Sequence, residues 1–156
     1  MRAHKFSLVW WGYSVEELSR KRRKYIGSEQ RMEFNGTLPE EILFWVERAK
    51  KIKPSRAYAV WRYFLEMKEV IREVFRVLKR DRAAVMVVGN SVIGGEEVPV
   101  ADLLNVLASE AGFQVFPPRA RRLDRNRRLM PLSRFSPAEG IERRIHQEHL
   151  LFWYKT

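Results

Sequence analysis

The sequence predicts an α/β fold, half of an open sheet flanked by helices, and three features carry that reading. Apolar residues at Trp61, Phe64, Leu65, Met67, Ile71, Val74, Phe75 and Leu78 keep a helical rhythm, which predicts one long helix over 54–80. The run Ala83-Ala84-Val85-Met86-Val87-Val88 is β-rich and unbroken, the pattern of a strand buried on both faces of a parallel sheet, and it stops at Gly89-Asn90-Ser91. Val100 to Ala111 then supplies a crossover helix, with Leu103, Leu104, Val106 and Leu107 facing the sheet and Gly112 ending it.

The remaining elements come in order along the chain. Ser14-Val15-Glu16-Glu17 is a capping box, so a helix starts there, runs into Arg20-Lys21-Arg22-Arg23-Lys24 and stops near Gly27. Thr37-Leu38-Pro39-Glu40 starts a second helix whose apolar face is Ile42, Leu43, Trp45, Val46 and Ala49, and which ends before Pro54. Phe113 to Phe116 is a short strand, Pro118 to Arg134 an arginine-rich loop without apolar period, and Glu148 to Tyr154 a closing strand. The whole is read as one domain, 1–156, with a helical segment over 1–53 and the α/β part over 54–156.

Composition bounds the function. Apolar residues make up 46% of the 156 residues, too many for a disordered chain. No apolar run approaches the roughly 18 residues of a membrane span and no signal-peptide pattern opens the sequence, so a cytoplasmic protein with no membrane partner is expected. Without cysteine there are no disulfides, thiolate nucleophiles or cysteine-ligated metals. A net charge of +11 favours a polyanionic partner, nucleic acid first, over a merely charge-rich surface.

Candidate sites come from charge and position. Arg119, Arg121, Arg122, Arg125, Arg127 and Arg128 crowd ten residues beside a single acid, Asp124, and planar guanidinium forks suit phosphates. The alternatives are a solvated basic loop or arginines that pair with acids on a missing complementary half. Arg22, Arg23 and Lys24 form a second basic patch near Trp10, Trp11 and Tyr13; the aromatics either stack on bases or, as burial of large rings favours, pack in a core. Asn90 and Ser91 lie just past the central strand at the edge where open sheets bind ligands, and either line a substrate cleft or simply turn the chain. His146 and His149 lack a third ligand, so no metal site is expected, and no catalytic constellation is defensible from spacing.

The order of Glu69 to Lys79, the strand 83–88 with Gly89-Asn90-Ser91, Val98-Pro99-Val100-Ala101-Asp102-Leu103-Leu104 and Glu110-Ala111-Gly112-Phe113 resembles the second half of class I S-adenosylmethionine-dependent methyltransferases. The segment Lys5 to Glu29 looks like the stretch after the catalytic Pro-Pro-Tyr motif in DNA N4-cytosine/N6-adenine amino-methyltransferases, and Glu142 to Phe152 like the approach to the family's seventh strand. The resemblance implies a partial Rossmann-like methyltransferase sheet of strands 83–88, 113–116 and 148–154, the last antiparallel between the other two. It further implies part of an enzyme that methylates an exocyclic amino group of a DNA base. Arg80-Asp81-Arg82 replaces the family's Pro-Gly-Gly, and neither a glycine-rich cofactor turn nor a Pro-Pro-Tyr motif is present; Pro117-Pro118 leads into Arg119 instead. The cofactor S-adenosylmethionine is therefore expected only with a complementary amino-terminal half, and the chain alone is expected to be inactive. Partners implied are DNA, that complementary polypeptide or a second copy. A non-catalytic nucleic-acid-binding module and a fragment of an RNA methyltransferase are the alternatives.

Overall fold

A computed structural model describes residues 5–27, 36–52, 54–93, 96–122 and 147–156. The chain divides into two compact units, Met1–Val70 and Ile71–Thr156, the division falling inside one helix.

The first unit is helical. Helix α1 spans Lys5–Trp10, α2 Val15–Arg23, α3 Glu40–Ile52, and α4 Pro54–Val77 begins here. The capping box is formed as the sequence predicts: the Glu17 amide donates to Ser14 Oγ at 3.1 Å, and the Ser14 amide donates to Glu17 Oε2 at 2.8 Å. Two otherwise orphaned first-turn donors are thereby satisfied. Helix α3 starts behind Pro39, whose carbonyl accepts from the amides of Ile42 and Leu43. It buries Ile42, Val46 and Ala49, while Leu43 of the expected apolar face is exposed. Helix α4 contributes Ala57, Tyr58, Trp61, Phe64 and Met67 to the core, all buried, together with Leu18 of α2. The buried Arg62 is satisfied by Glu66 one turn on, at 2.8 Å, and Glu66 also accepts from the Gly27 amide at 2.7 Å, which ties the end of the α2 segment to α4.

The second unit carries the sheet. Strand β1 is Arg82–Val88, β2 Ser91–Ile93, β3 Glu96–Val98, helix α5 Val100–Glu110, β4 Gln114–Val115, β5 Arg119–Arg122 and β6 Gln147–Lys155. Strand β6 lies between β1 and β4 and runs antiparallel to both, with Val85 opposite Phe152 and Gln114 opposite Tyr154. Because β1 and β4 both oppose β6, they are parallel to one another, and α5 makes the crossover that parallel strands need. The α/β class and the crossover are those the sequence predicts, and the antiparallel strand between β1 and β4 is the one the resemblance implies.

The core of this unit is built on one face of the sheet. Leu151 and Trp153 of β6 are buried with Val100, Leu103, Leu104 and Leu107 of α5. Phe113 joins them, its ring 5.8 Å from Trp153 and in edge contact with Phe75 of α4 at 4.9 Å. Gly112 turns the chain out of α5 at a φ of +104°, and an added Cβ would lie 3.0 Å from Phe75 Cζ. Lys155 Nζ donates to the carbonyls of Phe75 and Leu78, satisfying orphaned acceptors where α4 ends.

Four expectations are corrected. The strand at 83–88 is not buried on both faces: α5 covers the side of Leu151 and Trp153, and Val85 and Val87 on the other side are 58% and 52% exposed. Helix α4 ends at Val77 rather than residue 80, and Asp81 turns the chain at a φ of 57°, a left-handed conformation that Asp tolerates. The strand at 83–88 is not the central one among the described residues, for β6 lies between it and β4; Ser91 beyond it opens β2, which pairs with β3 as a separate two-stranded sheet. The basic segment after Pro118 is not loop from its start, for Arg119–Arg122 is strand β5, paired with β6 from Arg119 opposite Leu150 to Arg122 opposite Gln147. Strands β4 and β5 run along the same edge of β6, separated by Phe116-Pro117-Pro118, where two prolines without amide donors interrupt the ladder.

Candidate nucleic-acid interface

Strand β5 holds three arginines in a fixed row. Alternation along the strand sets Arg119 and Arg121 on one side and Arg122 on the other, and all three are exposed. Arg121 is engaged, its guanidinium 2.6 Å from Glu148 Oε2 across the ladder. Such a solvent-facing pair contributes ~0–1 kcal/mol, so it orients Arg121 more than it stabilises the sheet. Arg119 stands opposite Leu150 and Arg122 opposite Gln147, and neither has an acidic partner among the described residues. Two cations held on a backbone ladder and directed into solvent are suited to phosphate oxygens. Charges on an edge strand also discourage pairing with another sheet, a role that does not compete with phosphate contact. Arg125, Arg127 and Arg128 lie outside the described residues.

The second patch closes α2. Arg22 and Arg23 occupy its last turn and Lys24 its carboxyl cap, all exposed. Cations here complement the helix dipole as Glu16 and Glu17 do at the other end. The Glu17 carboxyl is held below its ordinary range, chiefly by hydrogen bonding from the Ser14 backbone, then by the Ser14 side chain and the charges of Arg20 and Lys21. Lys21 Nζ sits 3.8 Å over the ring of Tyr13. Trp10 and Trp11 do not enter the core that their size favours; both are exposed.

Asn90 and Ser91 stand past the carboxyl end of β1, where the sequence places them. The Asn90 side chain is committed within the fold: its Nδ2 donates to Glu97 Oε1 at 2.7 Å, and its Oδ1 accepts from the Ala101 amide at 3.4 Å. Since Pro99 offers no side-chain cap, Asn90 serves the first turn of α5 in its place. Ser91 is exposed and pairs with Val98.

Asn105 escaped the sequence reading. It accepts from the Trp153 indole at 2.7 Å and donates to the Phe116 carbonyl at 2.9 Å, joining α5 to β6 and to the end of β4. A polar residue on the otherwise apolar face of α5 was the available signal. No group of three metal-ligating side chains occurs among the described residues, and no described helix is long and apolar enough to cross a membrane.

No protein-family model matches the sequence, and no curated protein matches it. Two crystal structures of a candidate DNA modification methylase from Thermus thermophilus are similar in fold. The selenomethionine derivative is 22% identical at a TM-score of 0.43, over 60% of this chain and 36% of that one. The complex with S-adenosyl-L-methionine is 20% identical at a TM-score of 0.47, over 64% of this chain and 40% of that one. The chain thus spans at most two fifths of the length of the structures it matches.

Proposed function

We propose that this chain is the carboxyl-terminal part of an S-adenosylmethionine-dependent DNA methyltransferase acting on an exocyclic amino group, and that it is inactive by itself. The observation that carries the reading is the strand succession: β6 antiparallel between two parallel strands that α5 connects. Two further features support it. Strand β1 ends the sheet with an unpaired edge among the described residues, and the face bearing Val85 and Val87 is apolar yet exposed. A sheet of this composition is built to be continued past β1 and covered on that face. A complementary amino-terminal polypeptide is the partner that would do both.

The described residues do not by themselves fit the cofactor. At the carboxyl end of β1 the Asn90 amide is already engaged by Glu97 and Ala101, and no glycine-rich turn comes after the strand. When bound to the complete enzyme, S-adenosylmethionine supplies the methyl group. This chain's own part is to form the outer strands, to place Asn90 and Ser91 beside the cleft, and to hold phosphates with Arg119, Arg121, Arg122, Arg22, Arg23 and Lys24, and with Arg125, Arg127 and Arg128. The commitment of Asn90 inside the fold favours one second reading, a nucleic-acid-binding module without catalysis.

Calorimetry and DNA titration test the proposal together. The chain alone should show no heat of S-adenosylmethionine binding and should bind duplex DNA with log K falling by ~0.9 per phosphate contact for each decade of salt. Submicromolar cofactor affinity contradicts the division of labour; absent or salt-independent DNA binding contradicts the arginine assignment.

A further inference from the structure

The most exposed large apolar side chains among the described residues adjoin one another in the sequence: Trp10 at 93%, Trp11 at 82% and Phe6 at 81%. Phe6 and Trp10 are four residues apart on α1 and so share a helix face. Neither indole has a ring partner among the described residues. Large rings left in water are costly, and a cluster of them marks a surface awaiting a partner.

The backbone holds this cluster beside a concentrated positive charge. Gly12, at a φ of +90°, lets the chain reverse after α1, and the Tyr13 amide returns to the Leu8 carbonyl at 3.1 Å. Helix α2 begins two residues later, and Lys21 reaches back to lie over the Tyr13 ring at 3.8 Å. Arg20, Lys21, Arg22, Arg23 and Lys24 are all exposed. At about 100° per residue, five successive cations point all round the end of α2 rather than along one side.

That distribution discriminates between partners. A bilayer surface favours cations ranked along one face of a helix with the apolar groups opposite. Duplex DNA attracts the cations but hides its bases, leaving the indoles unused. An unpaired polynucleotide offers both a flexible string of phosphates and free ring faces. We propose that the α1–α2 segment is a binding platform for single-stranded nucleic acid, with Trp10 and Trp11 stacking on bases and the Arg20–Lys24 run neutralising the backbone. It rests on residues of the first unit alone and stands whether or not the chain is part of a methyltransferase.

The test is fluorescence anisotropy on the full chain with labelled oligothymidylate and oligouridylate of about 12 nucleotides, the matching duplex, and an abasic oligomer with the same phosphates. Wild type should bind the single strand more tightly than the abasic oligomer with the same phosphates. The W10A/W11A variant should lose at least about tenfold in single-strand affinity, since stacking is worth roughly five- to 150-fold per base, while its abasic affinity stays unchanged. Because both indoles are exposed, its far-UV circular dichroism should match wild type, and W10F/W11F, which keeps aromatic faces, should retain most of the affinity. Loss with either sugar supports the platform and identifies the preferred strand. Equal single-strand affinity in W10A/W11A and wild type overturns it, as does equal loss of single-strand and abasic affinity in that variant. Tryptophan-dependent sedimentation with phosphatidylserine vesicles, without any change in oligonucleotide binding, also overturns it.

Discussion

Replacing Asn105 by Leu strands a buried donor. The Trp153 ring is 1% exposed and its indole N–H has Asn105 Oδ1 as acceptor at 2.7 Å. An unpaired buried N–H costs ~1–3 kcal/mol. The second bond, from Asn105 Nδ2 to the carbonyl of the exposed residue Phe116, is replaceable by water, so its loss adds only ~0.5–1.5 kcal/mol. Leu is the better helix former and returns roughly 0.5 kcal/mol. The net expectation is destabilisation of about 1–4 kcal/mol by urea denaturation monitored in far-UV circular dichroism. Packing changes alone would give a similar loss, so the double-mutant cycle with Trp153→Phe decides. With the indole already replaced by a phenyl ring no N–H is left to strand, and Asn105→Leu should cost ~1–3 kcal/mol less. Additivity within about 0.3 kcal/mol would refute the bond and the seating of β6 on α5 that it fixes.

Other expected outcomes are as direct. Gly112→Ala forces a side chain onto a φ of +104° and against Phe75, and should cost ~1–3 kcal/mol, seen as a Tm lowered by about 2–4 °C per kcal/mol; an unchanged Tm contradicts the turn. The depressed Glu17 carboxyl contributes stability to α2 that is present above its ordinary value of 4.5 and is lost as pH falls through the lower folded value. A carbon-13 NMR titration in which Glu17 protonates at the ordinary value would contradict the capping box. Arg119→Ser with Arg122→Ser should weaken duplex binding and flatten its salt slope by about 1.8, or ~0.9 per phosphate contact; an unaltered slope removes them from the interface. Lys155→Met deprives the end of α4 of its cation and should destabilise by ~1–2 kcal/mol in the same urea titration.

What the sequence revealed depended on whether side chains or backbone decide the element. Helix α4, helix α5 and the α2 capping box are written in spacing and cap residues, and the structure has them. Strand β5 was illegible because its pairing partner, β6, lies about 27 residues away and every β5 side chain faces water, so no apolar alternation records it. The pairing of β2 with β3 left no periodic signal, because each strand is only three residues long. An unbroken apolar run at β1 overstated its burial, because composition records the environment a strand is suited to, and only the α5 side is covered among the described residues. Asn90 follows β1, and its bonds to Glu97 and Ala101 depend on the pairing of β2 with β3, which residue spacing does not record. At Trp10 and Trp11 ring size favours a core, yet both rings are exposed.

Strand succession is open to a covalent measurement, because the sequence has no cysteine to interfere. Residues directly opposite in an antiparallel ladder have Cα atoms ~4.5–5.5 Å apart, within the span of a disulfide, whereas diagonal neighbours at ~7–8 Å are beyond it. The pairs Val85→Cys with Phe152→Cys and Gln114→Cys with Tyr154→Cys join β6 to β1 and to β4 at opposed positions. Both should close within one chain under mild oxidation, and the diagonal pair Val85→Cys with Tyr154→Cys should not. Closure of the diagonal pair, or failure of either opposed pair in a folded chain, would contradict a β6 set antiparallel between β1 and β4.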